Sequence, residues 1–430
     1  MDKIKVSVIL PSFNVREYID ECIVSVINQT LYDIEIICVD AGSTDGTLKV
    51  LQKYETRDSR IKVVVSDKKS YGYQMNLGIA AARGIYIGIV ETDDYISERM
   101  YEKLYLAAKE NDADLVKSDF YRFTGIGNRI DKALYRLSNN TDLYNRVIDI
   151  EREQECFCFP INTWSGIYKR EFLIKNDIRH NETPGASYQD TGFWFQTFMY
   201  AKKAYFLDKA YYMNRRDNPH SSVYSKDKVF CVSDEFHFIF NILKKKESLW
   251  KSFQNIYSYV FYQAYKGNTE RISGEYQLMF LKRFSEDFLE LRELGALKRE
   301  CFHKADWHML CEIMDDPEGF YGNQNLIREC AYEKIGCYKK IILYGAGMVG
   351  KRTFRDLTER GLREKILCFA VSQKQENFAS YQGVPIWAIE DLKDYRGNSL
   401  VIISVTTVYQ EEIESNLRRL GFENILSIPE

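Results

Sequence analysis

Four carboxylates, Asp40, Glu91, Asp93 and Asp94, stand where a sheet of parallel strands would gather them. The apolar run Ile34–Val39 (I-E-I-I-C-V) leads directly into Asp40. Ile85–Val90 (I-Y-I-G-I-V) leads into Glu91-Thr92-Asp93-Asp94. In open α/β sheets, ligands bind in the crevice outside the carboxyl ends of the strands. Acidic oxygens gathered there suit a hard divalent cation, which commonly shares its ligands with substrate phosphates. The plainer alternative is that Asp93 and Asp94 cap a helix starting near Ser97, because Asp is a favoured capping residue. Two acidic strand ends in one sheet favour a site.

The elements that must position these acids follow from hydrophobic periodicity. Strands are expected at Lys5–Leu10, Ile34–Val39, Ile61–Val65, Ile85–Val90 and Leu115–Lys117, with helices between them at Tyr18–Gln29, Thr47–Tyr54, Tyr71–Ala82 and Met100–Asn111. Asp45 is a candidate cap for the second helix. Strand–helix alternation of this kind predicts a parallel, doubly wound sheet. Residues 120–225 are less regular. Residues 226–335 carry long helical patterns, with Phe236, Phe240, Leu243, Ile256, Val260 and Phe261 on buried faces. A fresh α/β pattern begins at Lys339. The expected division is therefore 1–225, 226–335 and 336–430.

The chain has 430 residues and a net charge of −3, which gives no electrostatic footprint for nucleic acid. No apolar stretch reaches the ~20 residues that span a bilayer, so the protein is expected in the cytoplasm. The run Lys244-Lys245-Lys246 reads as a solvated face, with peripheral contact at the inner membrane surface left open. Ten cysteines without C-x-x-C pairs argue against zinc and fit a reducing compartment. The 31 tyrosines and 25 phenylalanines are expected to fill the core, although aromatics also line sugar sites.

The segments V-S-V-I-L-P-S-F-N (Val6–Asn14), V-D-A-G-S-T-D (Val39–Asp45) and E-T-D-D (Glu91–Asp94), then Tyr168–Phe172, Gln189-Asp190-Thr191 and Arg215–Ser221, resemble in order the family 2 nucleotide-sugar glycosyltransferases. The resemblance covers residues 4–225. It implies a GT-A fold and inverting transfer from a nucleotide-sugar donor to a glycan or lipid-linked glycan acceptor, in bacterial surface polysaccharide synthesis. It further implies that Pro11, Phe13 and Asn14 line the nucleotide pocket and Asp40 accepts from the base. Glu91 and Asp93 face the donor, Asp93 and Asp94 hold manganese or magnesium, and Asp190 is the catalytic base. Arg215 or Arg216 approaches the diphosphate, since a guanidinium fork fits phosphate oxygens. Four departures stand out: Ala41 beside Asp40, Glu91 for Asp, Gln189 before the base, and Ser165-Gly166 before Tyr168. For Asp190 the alternative is a cap on the helix through Phe193–Tyr200.

Gly345-Ala346-Gly347-Met348-Val349-Gly350 follows the strand Ile341–Tyr344. Such a turn can seat a pyrophosphate on backbone N–H groups, making Gly345, Gly347 and Gly350 a candidate second nucleotide site in a domain resembling Rossmann-like modules. The fingerprint wants an acidic residue after the second strand, and Ser372 stands there. The glycines then serve only turn and packing. A nucleotide-cofactor oxidoreductase or epimerase, and a non-catalytic sugar-binding protein, are the competing functions. Sugar, acceptor, linkage and oligomeric state are not legible.

Overall fold

The structure is a computed structural model that describes residues 4–125, 130–218, 228–272, 275–373, 379–405 and 407–428. Its contacts divide the chain into two compact units, Met1–Ile130 with Leu134–Ala264, and Asp131–Ala133 with Tyr265–Glu430.

The first unit is built on one mixed sheet. Along its main path the strands are β1 (Val6–Ser12), β2 (Ile34–Asp40), β3 (Ile61–Val65), β4 (Tyr86–Ile89), β5 (Tyr95–Ile96), β6 (Leu115–Thr124), β7 (Gly166–Lys169) and β8 (Ala204–Arg215), with the short strands Asp131–Tyr135 beside β6 and Val147–Ile148 beside β8. They lie in the order β3-β2-β1-β4-β7-β6-β8-β5. β1 is parallel to both neighbours, with Val6 beside Ile34 and Tyr86. All seven residues of β1 and of β2 are buried, as a strand covered on both faces requires. Helix α1 (Ile19–Ile27) turns Ile19, Cys22, Ile23 and Val26 onto this sheet. β7 runs antiparallel between β4 and β6. The arrangement is the parallel-dominated α/β fold the periodicity predicts, with two extensions. β6 continues seven residues past Lys117, and β8 lies in the stretch that reads as irregular.

Both extensions have a physical cause. Lys117, Ser118 and Asp119 are polar yet buried, which breaks the apolar run. The Lys117 ammonium donates to the Asn162 carbonyl (2.9 Å) and side chain (2.8 Å). Asp119 accepts from Leu137 N–H and Tyr144 hydroxyl, each at 2.8 Å. In β8 the register with β6 shifts between Leu207 and Ala210 and again before Tyr212, so its alternation is interrupted by bulges.

The second unit contains the helices Glu275–Glu293, Lys304–Asp315 and Pro317–Gly336. The last is started by Asp316, whose carboxylate accepts Gly319 N–H (2.9 Å), followed by proline at the first turn. Its end is tied to the helix Met348–Glu359, which lies beside a six-stranded sheet, by Tyr332 hydroxyl to Asp356 (3.2 Å) and by the Arg360 guanidinium 3.9 Å over the Tyr332 ring. In that sheet Ile341–Tyr344 is parallel to both Ile366–Val371 and Leu400–Ile403.

Candidate active site

The ends of β1 and β2 are bound to each other by their loops. Asn14 sits at φ 52°, donates its N–H to Ser43 Oγ (2.9 Å) and accepts Thr44 N–H (2.9 Å). Gln74 braces the same ends from helix α2 (Tyr71–Ala81), donating to Ser12 O (3.0 Å) and Val39 O (2.7 Å). Asp40 is fully buried. Its carboxylate accepts Gly42 N–H (3.0 Å), Ser43 N–H (2.8 Å) and Ser43 hydroxyl (2.6 Å). Its visible work is therefore to shape this loop. Phe13 is 42% exposed with the Lys69 ammonium 5.1 Å from its ring, a flat apolar platform beside a cation. Pro11 contributes its carbonyl, which accepts the Thr92 hydroxyl (2.7 Å) and ties β1 to the acidic loop. Asp45 accepts Thr47 N–H (3.0 Å) from two residues before the helix Thr47–Glu55.

The acids after β4 divide into two kinds. Asp94 is 1% exposed, and its oxygens accept Tyr212 hydroxyl (2.8 Å), Asn214 Nδ2 (3.1 Å) and Arg215 N–H (2.6 Å), all from β8. Asp93 is half-buried and takes one bond, from Asn218 Nδ2 (2.8 Å). Glu91 accepts the Tyr71 hydroxyl (2.7 Å). Burial pushes the Glu91 carboxyl up to about 8; the Tyr71 bond opposes this, and the charges of Asp93 and Asp190 add to it. Neither Asp93 nor Asp94 caps a helix, because β5 intervenes and the next helix begins at Met100.

Arg215 lies inside this assembly. Its Nε donates to Asp93 O (2.9 Å), Nη2 to Glu21 (2.5 Å) and Nη1 to Gly125 O (3.3 Å), while its guanidinium lies 4.9 Å from the Tyr18 ring and 4.6 Å from the Phe123 ring. All three nitrogens are engaged within the protein, which suits a strut for the acidic loop rather than a ligand for phosphate. Arg216 follows, half-buried, with its N–H on Phe123 O (2.9 Å). The matched stretch through Ser221 passes outside the described residues after Asn218.

Asp190 approaches from another element. Helix α3 spans Gln189–Tyr200 and begins after Tyr188 at φ 62°, without a side-chain cap. Asp190 sits in its first turn and is not the capping residue. Gln189 instead organises the preceding loop, accepting Ser187 N–H (2.5 Å) and donating to Thr183 Oγ1 (2.9 Å) and Gly185 O (3.2 Å). Burial pushes the Asp190 carboxyl up to about 6, against the pull of backbone N–H groups in the turn. Its charge acts on Glu91, Tyr71 and Tyr168, so Asp190 and the acidic loop share one electrostatic neighbourhood. Glu235, buried behind the same helix, is pushed to about 8 by burial and accepts Asn181 Nδ2 (3.1 Å).

Tyr71, Tyr212, Asn214, Asn218 and Glu235 are the members sequence reasoning missed. Among the described residues, no three His, Cys, Asp or Glu side chains gather closely enough to enclose a metal ion. In the second unit, Gly345 has φ +116° and a Cβ there would lie 2.5 Å from Ser404 O, while one on Gly350 would lie 1.9 Å from Gly345 O. These two glycines are demanded by turn and packing; Gly347 has nothing within 4 Å. Ser372 hydrogen-bonds Tyr344 hydroxyl (2.7 Å) where the dinucleotide fingerprint wants a carboxylate.

Residues 7–164 match the profile of Glycosyl transferase family 2. The uncharacterized glycosyltransferase EpsJ of Bacillus subtilis is 33% identical over 220 residues, 50% of this chain and 62% of EpsJ, so the match spans about three-fifths of that relative. The cholesterol galactosyltransferase of Borreliella burgdorferi is 32% identical over 273 residues, 61% of this chain and 74% of that protein. Among solved structures, Staphylococcus aureus TarS 1-349 in complex with UDP-GlcNAc superimposes with a TM-score of 0.59 at 19% identity, covering 78% of this chain and 93% of TarS 1-349, a likeness of fold. The chain belongs to glycosyl transferase family 2, with the GT-A fold. No described helix is long and apolar enough to cross a membrane.

Proposed function

We propose that this protein transfers a sugar, with inversion at the anomeric carbon, from a nucleotide-sugar donor to a hydroxyl of a glycan or lipid-linked glycan in bacterial surface polysaccharide assembly. The observation that carries the reading is the link between Asp190 and the Glu91–Asp93 loop through Tyr71, whose hydroxyl donates to Glu91 (2.7 Å) and whose N–H donates to Gly185 O (2.9 Å) in the loop that leads into Asp190. A carboxyl titrating at about 6 is largely ionised at neutral pH and close to the optimum for a general base. Asp190 takes the acceptor hydroxyl proton as the acceptor oxygen bonds to the anomeric carbon. The bond from that carbon to the diphosphate breaks on the opposite face, and the negative charge leaves on the diphosphate. A single base on one side and a leaving group on the other implies one displacement. Two carboxylates astride a glycosidic bond would mark a glycosidase instead.

Asp93 is the residue suited to a divalent cation, having one protein bond where Asp94 has three. One or two carboxylates completed by substrate phosphates is the usual way magnesium is held. Such a cation would act as a Lewis acid on the departing diphosphate. Phe13, with Asn14 and the Asp40 loop behind it, offers a platform for the nucleobase. One relative is a cholesterol galactosyltransferase and the fold neighbour TarS 1-349 was crystallised with UDP-GlcNAc, which makes UDP-sugars the first donors to try.

The test is a panel of UDP- and GDP-sugars, scored for nucleoside diphosphate release with manganese, magnesium or chelator and for product configuration by NMR. Asp190→Asn should stay folded and lose about 10²-fold or more in transfer. The wild-type kcat/KM should rise with pH through about 6, as Asp190 ionises, and then level off. Retention of configuration, or near-normal transfer by a folded Asp190→Asn protein, would refute the mechanism.

A further inference from the structure

Glu235 is a buried carboxyl for which the transfer reaction has no direct use. It lies on helix α4 (Cys231–Lys244), 1% exposed, against the first turn of α3. Its Oε2 accepts Asn181 Nδ2 (3.1 Å). Its Oε1 is turned onto Gly192, two residues after Asp190. A Cβ on that glycine would fall 1.9 Å from the oxygen, and Oε1 is buried without a hydrogen bond. Burying a carboxyl with one oxygen unpaired costs more than burying an apolar side chain of the same size. The turn that this oxygen presses on is the one that carries Asp190.

Asn181 connects the carboxyl to the acidic loop. Asn76 on α2 accepts His180 N–H (2.9 Å) and donates to His180 O (2.9 Å). The same helix packs so closely that a Cβ on Gly72 would lie 1.8 Å from Asn181 O. The His180 ring stacks on Phe193 of α3 (4.2 Å, interplanar angle 9°) and meets Tyr71 of α2 edge-on (5.8 Å). Tyr71 is the residue whose hydroxyl reaches Glu91. His180 and Asn181 thus join α2, α3 and α4 into one body, and Glu235 closes it behind the Asp190 turn.

The ionisable groups around the two carboxyls are Tyr71, Glu91 and Tyr168 toward Asp190, and Asp234 on α4. His180 stays neutral, because burial pushes its ring down to about 3. Burial, opposed by the Asn181 amide and reinforced by the charge of Asp190, holds Glu235 at about 8, so it keeps its proton where Asp190 loses its own, at about 6. The neutral acid fills space from which water would otherwise stabilise the Asp190 anion.

We propose that Glu235 is a positioning residue for the base: through its contact with Gly192 it fixes the turn that aims Asp190 and keeps water out from behind it. The inference rests on Asp190 being the base, and its test begins without turnover. The full chain is labelled with carbon-13 at the aspartate carboxyls, and the Asp190 resonance is identified by its absence from Asp190→Asn. In wild type it should titrate near 6. In Glu235→Ala, where water enters behind the turn, the midpoint should fall by about one unit or more. In Glu235→Gln, which keeps the shape and the neutral charge, it should move by less than about 0.3.

With a donor that the nucleotide-sugar panel shows to be active, Glu235→Ala should lower kcat about tenfold or more and leave the donor KM within about twofold. The acid limb of kcat should move down with the NMR midpoint, and Glu235→Gln should restore all three. If Glu235→Ala does not fold, Glu235→Asp, which withdraws the carboxyl by one methylene, must shift the Asp190 midpoint in the same direction. A lowered midpoint without turnover from any donor would support the contact and count against the transfer reading alone. An Asp190 midpoint unchanged in every folded variant, or shifted equally by Glu235→Gln and Glu235→Ala, would overturn the proposal.

Discussion

Replacing Asp93 and Asp94 one at a time should separate two roles that adjacent identical residues conceal. Asp94→Ala removes the acceptor for the Tyr212 hydroxyl, the Asn214 amide and the Arg215 N–H together. The Arg215 N–H is itself buried, and the site is 1% exposed, so water does not replace the lost carboxylate. Each stranded donor costs about 1–3 kcal/mol, and the three together about 3–6 kcal/mol once some relaxation is allowed. That is a large part of the 5–15 kcal/mol typical of a domain. Asp93→Ala removes one half-exposed bond to Asn218, about 1 kcal/mol or less. Urea unfolding should therefore show Asp94→Ala crippled and Asp93→Ala near wild type. Calorimetry with UDP and magnesium should show the reverse for Asp93→Ala: a stable fold that has lost tenfold or more in affinity. Asp94→Asn, which still offers one oxygen to the Arg215 N–H, should lie between the two in stability. The reasoning fails if Asp94→Ala is as stable as wild type, or if Asp93→Ala binds UDP and magnesium normally.

Lys117 is buried, and burial pushes its ammonium down to about 7. Because the unfolded chain holds that proton up to ~10.4, stability should rise by a few kcal/mol as pH increases from about 7 toward 10. Lys117→Met should flatten that slope, and an unchanged slope would contradict the assignment. In the second unit, Gly350→Ala should cost ~2 kcal/mol or more in thermal unfolding because its Cβ meets Gly345 O, whereas Gly347→Ala should be within ~1 kcal/mol of wild type. Equal effects would mean that packing does not explain these glycines. A fragment of residues 275–430 should melt cooperatively and at higher temperature than residues 336–430, which lack Tyr332 and Glu329, the partners of Asp356 and Arg360. Equal melting would show that the helices add nothing to the sheet.

The placement of Asp40 and Glu91 was legible because each follows a short, mainly apolar run, broken only by Glu35 in the first, and such runs in an alternating chain become parallel strands with acids at their carboxyl ends. The division of labour between Asp93 and Asp94 was not. It depends on Tyr212, Asn214 and Arg215, which are brought back by a strand whose bulges and exposed Asp208-Lys209 hide its alternation. The bonding of Arg215 was not legible for the same reason. A guanidinium near an expected diphosphate reads as a ligand until its three nitrogens are seen bonded to Asp93, Glu21 and Gly125. Asp190 came from motif order alone. That its helix starts at a left-handed Tyr188, leaving the aspartate uncapping, depends on backbone torsion the sequence does not display. Lys117 was invisible as a buried group, since a lysine inside a strand ordinarily ends it.

The bonds from Asp94 to Tyr212, Asn214 and Arg215 bridge 118 to 121 positions of sequence. During synthesis at about 5–20 residues per second, the ribosome delivers the acidic loop several seconds before its supports emerge. The nascent protein therefore carries the motif in an unassembled state and gains a working crevice only when β8 adds to β6. The profile match ends at residue 164, so a product cut there would contain the recognisable signature and none of the donors that hold Asp94. Recognition of the family and possession of the site thus have different minimum lengths. Gene fragments or premature stops between the two would yield a chain that looks like a transferase but cannot assemble as one.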